Sequence, residues 1–183
     1  VYTTDPRIES RARRLEKISY EEMLEMASLG AKVLQTRSVE LAMAKQVPLR
    51  VLSSFIEPDE NGALPANAGT LICDEEEIVE KRIVSGVTMS RDEARITLLG
   101  LSDRGEAPAD VFTRLAEANV NVDMIVQSQA RSEGAVNLTF TTGRRDAARA
   151  AELMRAAQAA IGFEELRIDE DVAKVSVVGV GMR

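Results

Sequence analysis

The sequence predicts a mixed α/β (α+β) fold, and three observations predict it. Apolar residues recur at helical spacing in four segments and alternate at strand spacing in several others. From residue 94 to residue 168 these segments run strand, helix, strand, strand, helix, strand. The chain of 183 residues is 45% hydrophobic but only 3% aromatic, so its core must be built from Val, Ile, Leu, Ala and Met. That length suits one large domain or two small ones.

Residues 1–55 read as loop, helix, helix, strand. Ser19 and Glu22 stand at capping-box spacing, with the serine accepting from a backbone N–H three residues on and the glutamate reaching back. A helix over 20–29 follows, with Met23, Leu24, Met26 and Ala27 on its apolar face, and Gly30 is placed to end it. A second helix over 38–45 stops before Pro48, and residues 49–55 read as a strand.

Residues 56–69 carry Pro58, Asn61, Gly62, Pro65 and Gly69 and read as a linker or long loop. A short strand around Ile72 precedes the acidic run 74–77, which reads as a solvated crossing; four like charges without further ligands make a poor metal site. The segment 56–82 thus separates two regions.

Strands follow at 83–89 and 94–101, then a helix at 108–118 with Val111, Phe112 and Leu115 on one face. Strands at 122–127 and 136–142, a long Ala-rich helix at 145–161 and a strand at 166–168 complete a β-α-β-β-α-β order, the ferredoxin-like arrangement of an antiparallel sheet with both helices on one face. Residues 174–180 repeat the flavour of 95–101: a basic residue, an alternating apolar run and a late glycine. They read as the first strand of a second copy.

Composition also excludes. A net charge of −7 disfavours nucleic acid, and the basic residues at 11–14 and at Arg144 and Arg145 are interleaved with or flanked by acidic residues or alanine, as on solvated faces. Without histidine, neither a Ser-His-Asp triad nor a Cys-His zinc site can be assembled. The lone Cys73 sits in a strand pattern, which fits a small buried residue in a reducing compartment. No apolar run approaches the roughly 18 residues of a membrane helix.

Three segments carry a family resemblance. One is Val1-Tyr2-Thr3-Thr4-Asp5-Pro6-Arg7 followed by Glu21-Glu22-Met23-Leu24-Glu25-Met26-Ala27 and Gly30-Ala31-Lys32-Val33-Leu34. The others are Gly86-Val87-Thr88-Met89-Ser90-Arg91-Asp92-Glu93-Ala94 and Asn119-Val120-Asn121-Val122-Asp123-Met124-Ile125-Val126-Gln127. In this order they resemble bacterial aspartate kinase.

The resemblance implies an amino-acid-kinase catalytic domain followed by two ACT domains. Residues 1–55 would be the last part of the first, 83–171 the first ACT domain and 172–183 the start of the second. It implies ATP-dependent phosphorylation of L-aspartate in lysine, threonine and methionine biosynthesis, with Mg accompanying the nucleotide. It also implies feedback by lysine, threonine or both, a cytoplasmic location, and homo-oligomer or α2β2 assembly through the ACT domains.

At the nucleotide, the resemblance points to Tyr2, Asp5, Arg7 and Lys32. Phosphoryl transfer depends on positioning and on neutralising phosphate charge, which an arginine fork and a lysine point charge supply. No catalytic residue and no metal ligand is expected in these residues. At the effector, it points to Asp103, Asn121, Val122, Asp123 and Gln127. Asp123 can accept an ammonium, Asn121 and Gln127 can donate or accept, and the loop from 103 to 108 offers N–H groups before a helix. Here the run Asp103-Arg104-Gly105-Glu106 departs from the family, with Glu106 at the usual glycine.

A non-catalytic regulatory subunit is the alternative. Such a subunit is expected to start downstream of the nucleotide loop, which this sequence retains. The family's N-terminal phosphate motif and aspartate-binding segments are missing, so these 183 residues alone are expected not to phosphorylate aspartate.

Overall fold

Ser19 caps the first helix as its spacing predicts: its hydroxyl accepts from the Glu22 N–H at 3.2 Å, and the Glu22 carboxylate accepts from the Ser19 N–H at 3.3 Å. The structure is a computed structural model describing residues 1–65, 67–78, 83–102, 106–130, 132 and 134–179. It divides into two units, Val1–Ser90 with Val175–Arg183, and Arg91–Lys174.

In the first unit, helix α1 (Tyr20–Ser28) buries Met23 and Met26. It ends at Gly30, whose φ of +114° suits a residue without Cβ, and the Ala31 N–H closes back on Met26 O at 2.9 Å. Helix α2 (Thr36–Lys45) begins two residues before the predicted 38 and buries Val39 and Ala42. Strands β1 (Lys17–Ser19), β2 (Leu49–Val51) and β3 (Thr70–Cys73) form a sheet in the order β1-β3-β2, with β1 parallel and β2 antiparallel to β3. The predicted 49–55 strand is therefore only β2; beyond it Phe55 is 92% exposed and packs on nothing that would hold an extended ladder.

Cys73 is buried in β3, and burial raises its thiol pKa. A single 3₁₀ turn (Glu75–Glu77), capped by the Asp74 side chain, carries the acidic run. Strand β4 (Gly86–Ser90) pairs with β9 (Lys174–Val178), so the predicted 83–89 and 174–180 strands are both shorter.

The second unit has the predicted β-α-β-β-α-β order: β5 (Glu93–Ser102), α3 (Ala107–Glu117), β6 (Ile125–Gln129), β7 (Ala135–Gly143), α4 (Arg144–Ile161) and β8 (Glu165–Asp169). The sheet runs β6-β7-β5-β8 with every neighbour antiparallel. Ile96, Leu98, Leu138 and Phe140 alternate onto its inner face, where they meet Val111 and Leu115 of α3 and Ala150 and Met154 of α4. Phe112 meets Phe140 edge to face, with centroids 6.0 Å apart.

Gly100, at φ +66°, marks an irregularity where the β5–β7 register shifts between Leu98 and Leu101. Strand β6 starts three residues later than the predicted 122. The preceding residues spend their hydrogen bonds on the end of β7: Thr142 Oγ1 donates to Asn121 O at 2.7 Å, and Met124 N donates to Thr141 Oγ1 at 3.1 Å.

Candidate nucleotide and effector sites

Residues 1–15 of the first unit form a closed loop. Tyr2 pairs with Arg14 in an antiparallel bridge, Thr3 N donates to Arg13 O at 2.8 Å, and Leu15 N donates to Val1 O at 3.0 Å. At the tip, the Asp5 carbonyl accepts from the N–H groups of Ile8 and Glu9, both at 3.0 Å. The Asp5 carboxylate accepts from Arg7 three times: from N at 2.9 Å, Nε at 3.0 Å and Nη2 at 2.8 Å. These hydrogen bonds hold the Asp5 carboxyl down at about 2. The fork is thereby aimed by Asp5, while the Arg7 side chain stays 88% exposed.

Strand β4 supports this loop and the turn after α1. Val87 N donates to Thr3 O at 2.7 Å, and a Cβ on Gly30 would lie 3.2 Å from Met89 O. Val87 and Met89 are two strand residues apart, about 7 Å. Tyr2, Asp5 and Arg7 thus share one loop, and the exposed Lys32 follows the glycine seated on the same strand. Exposed guanidinium and ammonium groups are the donor types that phosphate oxygens take.

In the second unit, Asp103 lies outside the described residues. Glu106 is the N-cap residue of α3, exposed, and at φ −83° it bears its Cβ without backbone strain. Asn121 and Val122 line an open cleft of about 630 Å³, whose other walls include Phe112, Leu115 and Ile125. Gln127 is exposed on β6, the sheet edge, paired through its backbone with Leu138.

Asp123 does not line that cleft. Its N–H donates to Thr141 O at 3.0 Å, and its carboxylate accepts a hydrogen bond from the Lys174 ammonium. Lys174 also reaches Glu93 at 3.3 Å. The pKa of Lys174 is raised, by the Asp123 hydrogen bond first and by Glu93, against the opposing effect of burial. Sequence reasoning missed Lys174 and Glu93. The signal available was a lone lysine opening an alternating apolar run, which reads as a strand end until its partner is known.

Among the described residues, no three His, Cys, Asp or Glu side chains gather to hold a metal ion, and no helix is long and apolar enough to cross a membrane.

The first unit opens with a segment of kinase type: the model of the Amino acid kinase family matches residues 1–53. A segment matching the Amino acid kinase family thus precedes a ferredoxin-like unit in one chain. Aspartokinase of Pseudomonas aeruginosa is 49% identical over 100% of this chain and 42% of its own length. Among solved structures, aspartokinase III of E. coli in complex with aspartate and ADP (R-state) is 31% identical with a TM-score of 0.70, covering 98% of this chain and 38% of that one. The same enzyme in complex with lysine and aspartate (T-state) is 28% identical with a TM-score of 0.68, covering 98% and 37%. Along its whole length the chain is similar to aspartokinases in sequence and fold, and it spans 42% of the length of the curated relatives it matches.

Proposed function

We propose that this chain is the seam of an aspartate kinase, where the end of the ATP site meets the first amino-acid-sensing domain. In this reading residues 1–55 close the catalytic domain, 56–82 cross over, 83–171 form the first ACT domain and 172–183 open the second. Arg7 and Lys32 neutralise nucleotide phosphates, and Asp5 orients the Arg7 fork while Tyr2 flanks it. ATP with Mg would bind here in the intact enzyme, the metal shared with parts outside these residues. Phosphorylation of L-aspartate belongs to that whole protein.

The effector reading rests on one observation above all: the Asp123 carboxylate already receives an ammonium, that of Lys174. An α-amino acid, lysine or threonine, offers the same group. Asn121, Val122 and Gln127 flank it along the same chain segment, with Asp103 completing the set. The β6 edge, exposed along its whole length, suits pairing with a second ACT domain in a homo-oligomer or α2β2 assembly. The relative bound to lysine and aspartate, and its counterpart bound to aspartate and ADP, support both halves of this reading.

Titration calorimetry of lysine and threonine against the intact natural protein, beside Glu106→Gly, tests the effector half. The variant is expected to bind more tightly, because it restores close backbone approach at the α3 N-terminus. Equal affinities would remove Glu106 from the effector site. A coupled ADP-release assay on these 183 residues is expected to stay at background, and turnover would overturn the division of labour.

A further inference from the structure

Three side chains meet where the chain enters and leaves the second unit. Glu93 lies two residues after its first residue, Arg91, and Lys174 is its last. The Lys174 ammonium bonds Asp123 and approaches Glu93 at 3.3 Å. The side chains of Lys174 and Glu93 are nearly covered, at 16% and 12% exposure, while Asp123 is open at 55%. Two carboxylates share one ammonium, so this trio carries one uncompensated negative charge, and its open face is Asp123. A second ammonium arriving from solvent would balance it.

We propose that Lys174 is a built-in competitor for the α-ammonium group of an amino-acid effector, which must take the Asp123 carboxylate from it. This rests on the reading of Asp123 as the effector's acceptor. The geometry makes displacement inexpensive. Lys174 does not lose its partner, because Glu93 holds it from the covered side. Asp123 does not move, because its backbone is pinned to Thr141 through its own N–H and through the neighbouring Met124. The trio then becomes two separate pairs, effector with Asp123 and Lys174 with Glu93. Binding therefore loosens the tie between Lys174 and the segment before β6 while keeping the tie to β5. Lys174 so sets the threshold concentration at which an effector is sensed.

The test is calorimetric titration of L-lysine and L-threonine into the intact natural protein and three variants. Lys174→Met should bind the effector about two- to fivefold more tightly, the size of a partly exposed ion pair. The double variant Glu93→Gln with Lys174→Met should show the same gain without leaving a covered carboxylate unpaired, and its thermal unfolding reports whether it is folded. Asp123→Asn should lose at least about tenfold, as for a charge-assisted hydrogen bond. The α-deaminated analogue of the effector should gain nothing from Lys174→Met. No tightening in either lysine variant while Asp123→Asn loses binding would overturn the competitor role and leave the effector reading standing. Unchanged binding in Asp123→Asn would overturn both.

Discussion

The second unit is one continuous stretch of chain, 91–174, whereas the first is stitched together from distant pieces. In the second, strand and helix follow each other through short connections, and each buries one face at its own period: β7 alternates without a break, and α4 buries Ala147, Ala150, Ala151, Met154, Ala157 and Ile161. In the first, β1 pairs with β3 across more than fifty residues, Lys17 against Leu71. Thr70 Oγ1 reaches Leu15 O at 2.6 Å, and Ser85 donates both its N–H to Val178 O and its hydroxyl to Glu22. One unit is held by a packed apolar layer, the other by a few long-range polar ties around a smaller core. The residues proposed for the effector stand on the first kind of support and those proposed for the nucleotide on the second.

The contrast predicts a different weak point for each. Phe140, fully buried under α3, should cost about 3–5 kcal/mol as Phe140→Ala, read by denaturant unfolding with probes in residues 91–174. Thr70→Val keeps the shape but leaves the Leu15 carbonyl without its buried hydroxyl, and should cost about 1–3 kcal/mol, read by probes in the first unit. If Thr70→Val proved neutral, the long-range ties would not be what holds that unit.

Asp5 offers a spectroscopic check on the nucleotide loop. Its folded pKa is depressed to about 2, so whatever the pair contributes is present above the ordinary carboxyl value near 3.9 and is lost as pH falls through about 2. Carboxyl NMR should show that midpoint, and Arg7→Ala should return it to about 4. The smallest effect belongs to the β8 surface, where Arg167 is paired with Glu165 at 2.8 Å and 65% exposed: Arg167→Ala should leave the unfolding midpoint nearly unchanged.

The same contrast decided what was legible in the sequence. The second unit's order and its apolar faces followed from periodicity, and so did the α1 capping box, because each signal lies within a few neighbouring residues. Strand β1 was invisible: three residues, Lys17, Ile18 and Ser19, whose partners come only at 71–73. Strand β2 was overextended because Leu52 and Phe55 look like strand residues but have no ladder to join. The loop of Tyr2, Asp5 and Arg7 was named by resemblance, yet the Asp5 fork that aims Arg7 is a local geometry no pattern announces. Lys174 was missed because its two partners lie 51 and 81 residues away.

In the proposed function, separate groups of one chain, Arg7 and Asp123, read the nucleotide and the effector. Measuring the KM for ATP and the Kd for lysine and threonine in the intact natural protein, for Arg7→Ala and Asp123→Asn side by side, tests that directly. Arg7→Ala should raise the KM for ATP about tenfold or more, as expected for a lost charge-assisted phosphate contact, and leave effector affinity within about twofold. Asp123→Asn should do the reverse. Both variants shifting the same constant, or neither shifting any, would contradict it.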